Sequence, residues 1–229
     1  MGAPSRFQNG LNSSSGNDTT NMMGQIDPSY YHTLFADFDT FAAANWVITR
    51  VGTTPTEALV AGDGGLLLLT TSTGATDSTF LQDLAASYTI DATVPLYLKT
   101  RVALSDANLS QFIFGTQNTN TAPLTGSATN GIWLVKAIGV NQLSLVSRSA
   151  GVTTTLLLPV TLVNNQTYNL GLAYDGRGNV EAWVDDAKMG SVTPTALPVG
   201  VTGVVFGLQN GAAVAKTATI DYIFAAKPR

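Results

Sequence analysis

From about residue 34 onward, apolar and polar residues alternate along short segments, a pattern typical of strands with one buried face. Glycine, asparagine, aspartate and proline separate these segments and favour turns. The pattern predicts twelve strands: Phe35–Phe41, Trp46–Val51, Leu66–Thr71, Leu96–Leu104, Gln111–Gly115, Ile132–Ala137, Gln142–Ser147, Thr153–Leu158, Tyr168–Tyr174, Val180–Asp185, Val204–Leu208 and Thr217–Ala225. Twelve strands at this spacing can form two packed sheets, so we predict an all-β fold with a single antiparallel β-sandwich.

Two hairpins and one weak helix candidate complete the local prediction. Tyr168–Tyr174 and Val180–Asp185 are joined by five residues that include two glycines and Asn179, which suit positive-φ turn positions. A second hairpin is expected across Gly139-Val140-Asn141. The best helix candidate, Phe80–Ser87, is one or two turns long and could equally be a loop.

The first 30 residues differ in composition from the rest of the 229-residue chain. They are rich in Asn, Ser and Gly, hold little apolar surface to bury, and predict an extended polar arm. No linker interrupts residues 31–229, so we expect one sandwich domain there.

The amino-acid composition makes several classes of function improbable. Eleven basic against fifteen acidic residues give a net charge of −4, which makes nucleic acid an improbable partner. The chain has no cysteine and one histidine, His32, which disfavours thiolate chemistry, His-rich metal sites and Ser-His-Asp catalysis. The apolar fraction is 45%, but glycine and proline interrupt the long uncharged stretches. We therefore expect no membrane span, no secretory signal, and synthesis in the cytoplasm.

The order of several motifs resembles a concanavalin-A-like, laminin-G-like jelly roll over roughly residues 34–226. The motifs are Phe38-Asp39-Thr40-Phe41, Asn45-Trp46, Gly131-Ile132-Trp133-Leu134, Tyr168 to Asp175, Asn179 to Asp185, and Ile220-Asp221-Tyr222-Ile223. The opening Ser5-Arg6-Phe7-Gln8-Asn9-Gly10 is similar to the N-terminal arms of structural proteins from tailed bacteriophages.

Together these resemblances imply a virion protein, most plausibly a capsid decoration (cement) protein. Its partner would be the major capsid protein, its place the outer capsid surface, and its assembly a homotrimer. Arg6, Phe7, Asn9 and Gly10 would form the capsid-binding arm. A charged fraction of only 11% fits a protein that spends its life against other protein surfaces.

A glycan-binding alternative rests on Glu181, Trp183 and Asp185, which would point to one face of a strand. An exposed tryptophan between carboxylates could stack on a sugar ring, although a solvated face with one packed aromatic explains the same pattern. The resembling hydrolases require Glu-x-Asp-x-x-Glu, whereas Trp183 occupies the middle acid position. Glu181 and Asp185 would also lie about 13 Å apart along a strand, too far for either glycosidase geometry. We therefore expect no catalytic residues and no enzyme activity.

The sequence contains no convincing site for a metal or a cofactor. The pairs Asp37 with Asp39 and Asp185 with Asp186 could contribute to a calcium site, but no loop shows a dense ligand pattern. We expect no metal and no cofactor. His32 lies beside Tyr30 and Tyr31, where the three could form an aromatic clasp at the junction of arm and body.

Overall fold

The computed structural model describes residues 30–62, 64–85, 87–119, 121–124 and 128–229. These residues form sixteen β-strands and one short 3₁₀ turn, Ala43–Asn45, with no α-helix among them. The all-β prediction is confirmed. The predicted arm, residues 1–30, lies outside the described residues except for Tyr30.

The strands form two antiparallel sheets that pack face to face. Sheet A has the spatial order β14-β13-β12-β7-β16-β4-β3, and β1 pairs with the second half of β16. Its strands are β1 (Tyr31–Ala36), β3 (Thr56–Val60), β4 (Leu66–Thr70), β7 (Leu96–Leu104), β12 (Thr167–Tyr174), β13 (Val180–Val184), β14 (Ala187–Val192) and β16 (Thr217–Pro228).

Sheet B has the order β11-β10-β9-β8-β15-β5-β2, with β6 paired to the start of β15. Its strands are β2 (Trp46–Val51), β5 (Ser78–Asp83), β6 (Tyr88–Ile90), β8 (Ser110–Gln117), β9 (Gly131–Lys136), β10 (Gln142–Ser149), β11 (Val152–Thr161) and β15 (Gly200–Asn210).

The main core lies between the sheets, where inward-facing side chains of both interdigitate. Trp46 belongs to this core and packs edge-on against Phe206, with ring centroids 5.2 Å apart. Trp133 is also buried, but it lies in a second cluster with Phe80, Ile113 and Val205. Leu124, in the segment that follows β8, packs against this second cluster.

Both predicted hairpins are confirmed. Strands β12 and β13 pair with Leu170 opposite Val184, and β9 and β10 pair with Leu134 opposite Leu145. The helix candidate Phe80–Ser87 is wrong, because Ser78–Asp83 forms β5, which pairs on both sides with β15 and β2. Within the described residues, no helix is long and apolar enough to cross a membrane.

Candidate functional site

A pocket of about 340 Å³ opens where β1 ends and the chain turns toward β2. Three carboxylates line it, those of Asp37, Asp39 and Asp83, beside the aromatic rings of Phe35, Phe41 and Trp46. We call this the Asp37 pocket. A shallower depression of about 330 Å³ shares Leu34, Asn45 and Asp83 with it and continues toward Leu84 and Ala85.

An unusual backbone turn places the first two carboxylates. Phe38 has a φ of +44°, which a bulky residue seldom adopts, and its ring is buried edge-on against Phe206. Gly65 lies directly against this turn, and a Cβ at that position would overlap the Phe38 carbonyl group. With Phe38 fixed inward, Asp37 and Asp39 on either side of it both line the pocket.

Asp83 reaches the pocket from the last position of β5. The register of β2 against β5 sets Trp46 opposite Asp83, so the edge of sheet B brings this carboxylate beside the β1 turn. Its Oδ1 accepts a hydrogen bond from the Ala85 amide at 3.3 Å. Asp83 was missed by the sequence reasoning, which placed it in a weak helix candidate.

The three pocket carboxylates have no cationic partner among the described residues. The ion pairs found there use other acids: Glu57 with Arg50, Asp106 with Lys216, Glu181 with Lys188, Asp186 with Lys99 and Asp221 with Arg101. Burial raises the pKa of the neighbouring Tyr88 phenol, and the negative charge of Asp83 raises it further. That phenol therefore stays neutral and donates to the Ala225 carbonyl at 3.3 Å.

The two strand residues of the predicted glycan face, Glu181 and Trp183, are largely buried. Glu181 and Trp183 do share the outer face of sheet A, but they are only 9% and 8% exposed. Glu181 accepts a hydrogen bond from Lys188 Nζ at 2.5 Å, and the buried indole nitrogen of Trp183 has no hydrogen-bond partner among the described residues.

Asp185 does not continue the strand that the sequence predicted to hold it. Strand β13 ends at Val184, and Asp185 and Asp186 have φ values of +50° and +64° in the tight turn before β14. Asp185 accepts the Asn169 amide at 2.8 Å, whereas Asp186 pairs with Lys99 at 2.6 Å. The turn therefore separates Asp185 from the face that carries Glu181 and Trp183.

The junction residues Tyr30, Tyr31 and His32 each contact the body. The carbonyl of Tyr30 accepts the Arg229 amide at 2.9 Å, and Tyr31 packs near Tyr97. The ring of His32 lies 5.0 Å from that of Tyr88. The proposed arm residues Arg6, Phe7, Asn9 and Gly10 lie outside the described residues.

The two acid pairs considered for calcium, Asp37 with Asp39 and Asp185 with Asp186, lie in different turns of the structure. Among the described residues, no three histidines or acids are grouped so that they could hold a metal ion. The Asp37–Asp39 pair and Asp83 are therefore distributed along the pocket wall rather than gathered around one point.

No protein-family model matches the chain, and no curated protein matches it. Several solved structures, however, are similar to it in fold. An endo-1,3-beta-glucanase from Streptomyces sioyaensis superposes with a TM-score of 0.61 at 14% identity, covering 90% of this chain and 99% of that one. An endo-beta-1,4-glucuronan lyase from the fungus Trichoderma reesei gives 0.59 at 14%, with 84% and 94% covered. The carbohydrate recognition domain of Emp46p gives 0.58 at 8%, with 82% and 93% covered.

These similarities establish the fold as a concanavalin-A-like jelly-roll sandwich, as the sequence motifs suggested. The likeness to glycoside hydrolases and a lyase contradicts the expectation that the chain has no enzyme activity. That expectation rested on the broken acid motif of one strand, whereas three other acidic residues line the Asp37 pocket. None of these similarities connects the chain with a phage capsid.

Proposed function

We propose that this protein binds carbohydrate in the Asp37 pocket. The observation that carries the proposal is the lining of that pocket, where three carboxylates lie beside aromatic rings. Sugars present hydroxyl groups at their edges and C–H groups on their ring faces. Carboxylates accept hydrogen bonds from the hydroxyls, and aromatic rings cover the apolar faces. Phe35 lines the pocket and is 62% exposed, and its ring lies 6.3 Å from that of Tyr222 and 6.4 Å from that of Phe224, so an aromatic surface for stacking adjoins the pocket.

The structural neighbours support the same class of ligand, since they include sugar-cleaving enzymes and a carbohydrate recognition domain. Glycosidases need two carboxyl groups on either side of the bond that they cleave. The Asp37 pocket offers three. We therefore include cleavage of the bound glycan in the proposal. It is measured as release of reducing ends, alongside binding.

A glycan array probed with the full chain tests the proposal, with calorimetry and release of reducing ends measured on each hit. Asp83→Asn and Phe35→Ala should weaken binding by about tenfold or more, because each removes a direct contact. Asp91→Asn is the matched control, since Asp91 is an exposed acid outside the pocket. Glu181→Gln tests the alternative face. Binding that survives both pocket substitutions, or an array without any hit, would contradict the proposal.

We propose capsid decoration as a second candidate, supported by a different observation. Fourteen large apolar side chains of the described residues are exposed, among them Val152, Leu157, Val199 and Val201, on a chain with few charges. A contiguous patch of exposed apolar side chains is typical of sites where proteins associate with other proteins. In this candidate Arg6 and Phe7 anchor the arm to the major capsid protein, and the body forms a trimer on the outer capsid surface.

The second candidate is tested by cosedimentation of the full chain with undecorated phage shells. Arg6→Ala combined with Phe7→Ala should weaken attachment by about tenfold or more, because arginine and aromatic residues dominate interface energies. Arg177→Ala, in an exposed turn, is the control. Equal sedimentation of the arm variant and the control would exclude the arm as the anchor, and no sedimentation of the unaltered chain would exclude decoration of that shell.

A further inference from the structure

We infer that the Asp37 pocket selects glycans that carry a protonated amino group, such as oligomers of glucosamine. This inference rests on the carbohydrate binding proposed above and adds the charge of the ligand. The described residues that line the pocket include three carboxylates and no lysine, arginine or histidine. A ligand in this pocket therefore meets a negative field that no described side chain neutralises.

The arrangement of the carboxylates favours an extended cationic ligand over a bound metal ion. A divalent cation requires several oxygens around one point, and the described acids and histidines do not form such a group. Asp37 and Asp39 flank the Phe38 turn, while Asp83 comes from the end of β5 in the other sheet. Donors placed at several positions along a sugar chain suit this spread of acceptors.

The aromatic lining adds a second requirement that a simple cation does not meet. Phe35, Phe41 and Trp46 line the same space, and Phe35 is the most exposed of the three. A ligand must therefore combine apolar ring faces with positive charge, as amino sugars do. An ammonium group brings a full positive charge to the carboxylates, so its hydrogen bonds gain an ion-pair attraction that the hydrogen bonds of a hydroxyl lack.

Neutral and acidic sugars should bind less well for the complementary reason. A hydroxyl or an acetylated amine can donate to the carboxylates but brings no positive charge into the pocket, so it lacks the attraction between opposite charges. A uronic acid brings a carboxylate toward three others, and like charges repel. The expected order of affinity is amino sugar, then neutral sugar, then uronic acid.

Calorimetry on the full chain at about pH 6, where a primary amine is protonated, tests this order. The probes are the hexamers of glucosamine, N-acetylglucosamine and glucose, and an oligomer of glucuronic acid. The glucosamine hexamer should bind about tenfold or more tightly than its acetylated counterpart. Raising the salt concentration from about 0.05 M to about 0.5 M should reduce that advantage.

Substitutions separate the pocket from the overall negative charge of the protein. Asp37→Asn and Asp83→Asn should each remove most of the glucosamine preference, whereas Asp91→Asn should leave it unchanged. Thermal melts of the three variants establish that all remain folded. Equal losses in all three would mean that general attraction to an acidic protein explains the preference, and this would overturn the inference.

The remaining outcomes distinguish the inference from the proposed function. If neutral oligomers bind as tightly as glucosamine oligomers and Phe35→Ala weakens both, the pocket binds sugar but does not select charge. The inference then fails while the proposed function stands. If neither these probes nor the glycan array gives any binding, both fail.

Discussion

At the scale of single residues, Lys136 is the least ordinary side chain of the described body. It has no exposed surface, and its ammonium group donates hydrogen bonds to the carbonyls of Asn108, at 2.9 Å, and Ser110. Burial lowers the pKa of Lys136 from its ordinary 10.5 to about 8, although the negative charge of Asp106 opposes that shift. The cation holds the backbone that leads into β8, at the cost of its own desolvation.

This lowered pKa predicts that stability increases in mild alkali. Between pH 8 and 10.5 the unfolded chain binds a proton at Lys136 that the folded chain has released, so the free energy of unfolding increases with pH. The gain should reach roughly 1–2 kcal/mol near pH 10. Above that pH the gain should be lost, because burial raises the pKa of Tyr88 and unfolding frees its phenol to ionise.

Urea unfolding between pH 7 and 11 measures this effect. The Lys136→Met variant keeps most of the side-chain volume but cannot titrate. It should therefore lack the increase and only lose stability as the tyrosines with a raised pKa, Tyr88, Tyr97, Tyr174 and Tyr222, become free to ionise on unfolding. Lys188→Met serves as the control: it should be less stable at every pH because Glu181 loses its cationic partner, but its stability should change with pH as that of the unaltered chain does. Matching curves for Lys136→Met and the unaltered chain would show that Lys136 does not titrate as its environment indicates.

At the scale of elements, the strands with one exposed face were predictable. Eleven of the twelve predicted strands correspond to observed ones. The first, Phe35–Phe41, is wrong beyond Ala36, because β1 spans Tyr31–Ala36 and the chain then turns at Phe38, whose φ is +44°. Alternation is a local signal, and the turns of the two hairpins contain glycine or asparagine where the chain must reverse. The fold class can be predicted from such local signals because the alternation of apolar and polar residues in each strand shows which face is buried.

The strands β3, β5, β6 and β14 were not predicted. Strand β6 alternates but has only three residues, too few for a pattern. Five of the six residues of β5 are buried, since the main core covers one face and the Phe80 cluster covers the other. A strand covered on both faces shows no alternation, so Ser78–Asp83 lacks the period-two signal of a strand. This error hid Asp83, the residue that completes the pocket.

One weak sequence signal has a clear structural basis. Phe114-Gly115 and Phe206-Gly207 form a short echo in the sequence, and the two segments lie in neighbouring strands with Phe114 opposite Phe206. A side chain at either glycine would collide with the strand beside it, at Trp133 or at Phe80. The two glycines therefore leave room for the rings of Trp133 and Phe80 to pack closely on the outer face of sheet B.

At the scale of the whole molecule, the candidate site depends on tertiary structure that no local pattern contains. Asp37 and Asp39 are two residues apart in sequence, but Asp83 joins them only because β2 pairs with β5 in one register. Enzyme activity was excluded because one strand, with Glu181 and Asp185, lacked the required motif and spacing. Functional groups on this fold can come from several elements, so one broken motif excludes only one arrangement.

Binding of carbohydrate in the Asp37 pocket can be decided by a crystal structure of the full chain with the tightest glycan from the array. Sugar density is expected beside Phe35 and the carboxylates of Asp37 and Asp83, with hydroxyl or ammonium groups within hydrogen-bond distance of those oxygens. Density over Glu181 and Trp183, or at any other surface with the Asp37 pocket empty, would contradict it.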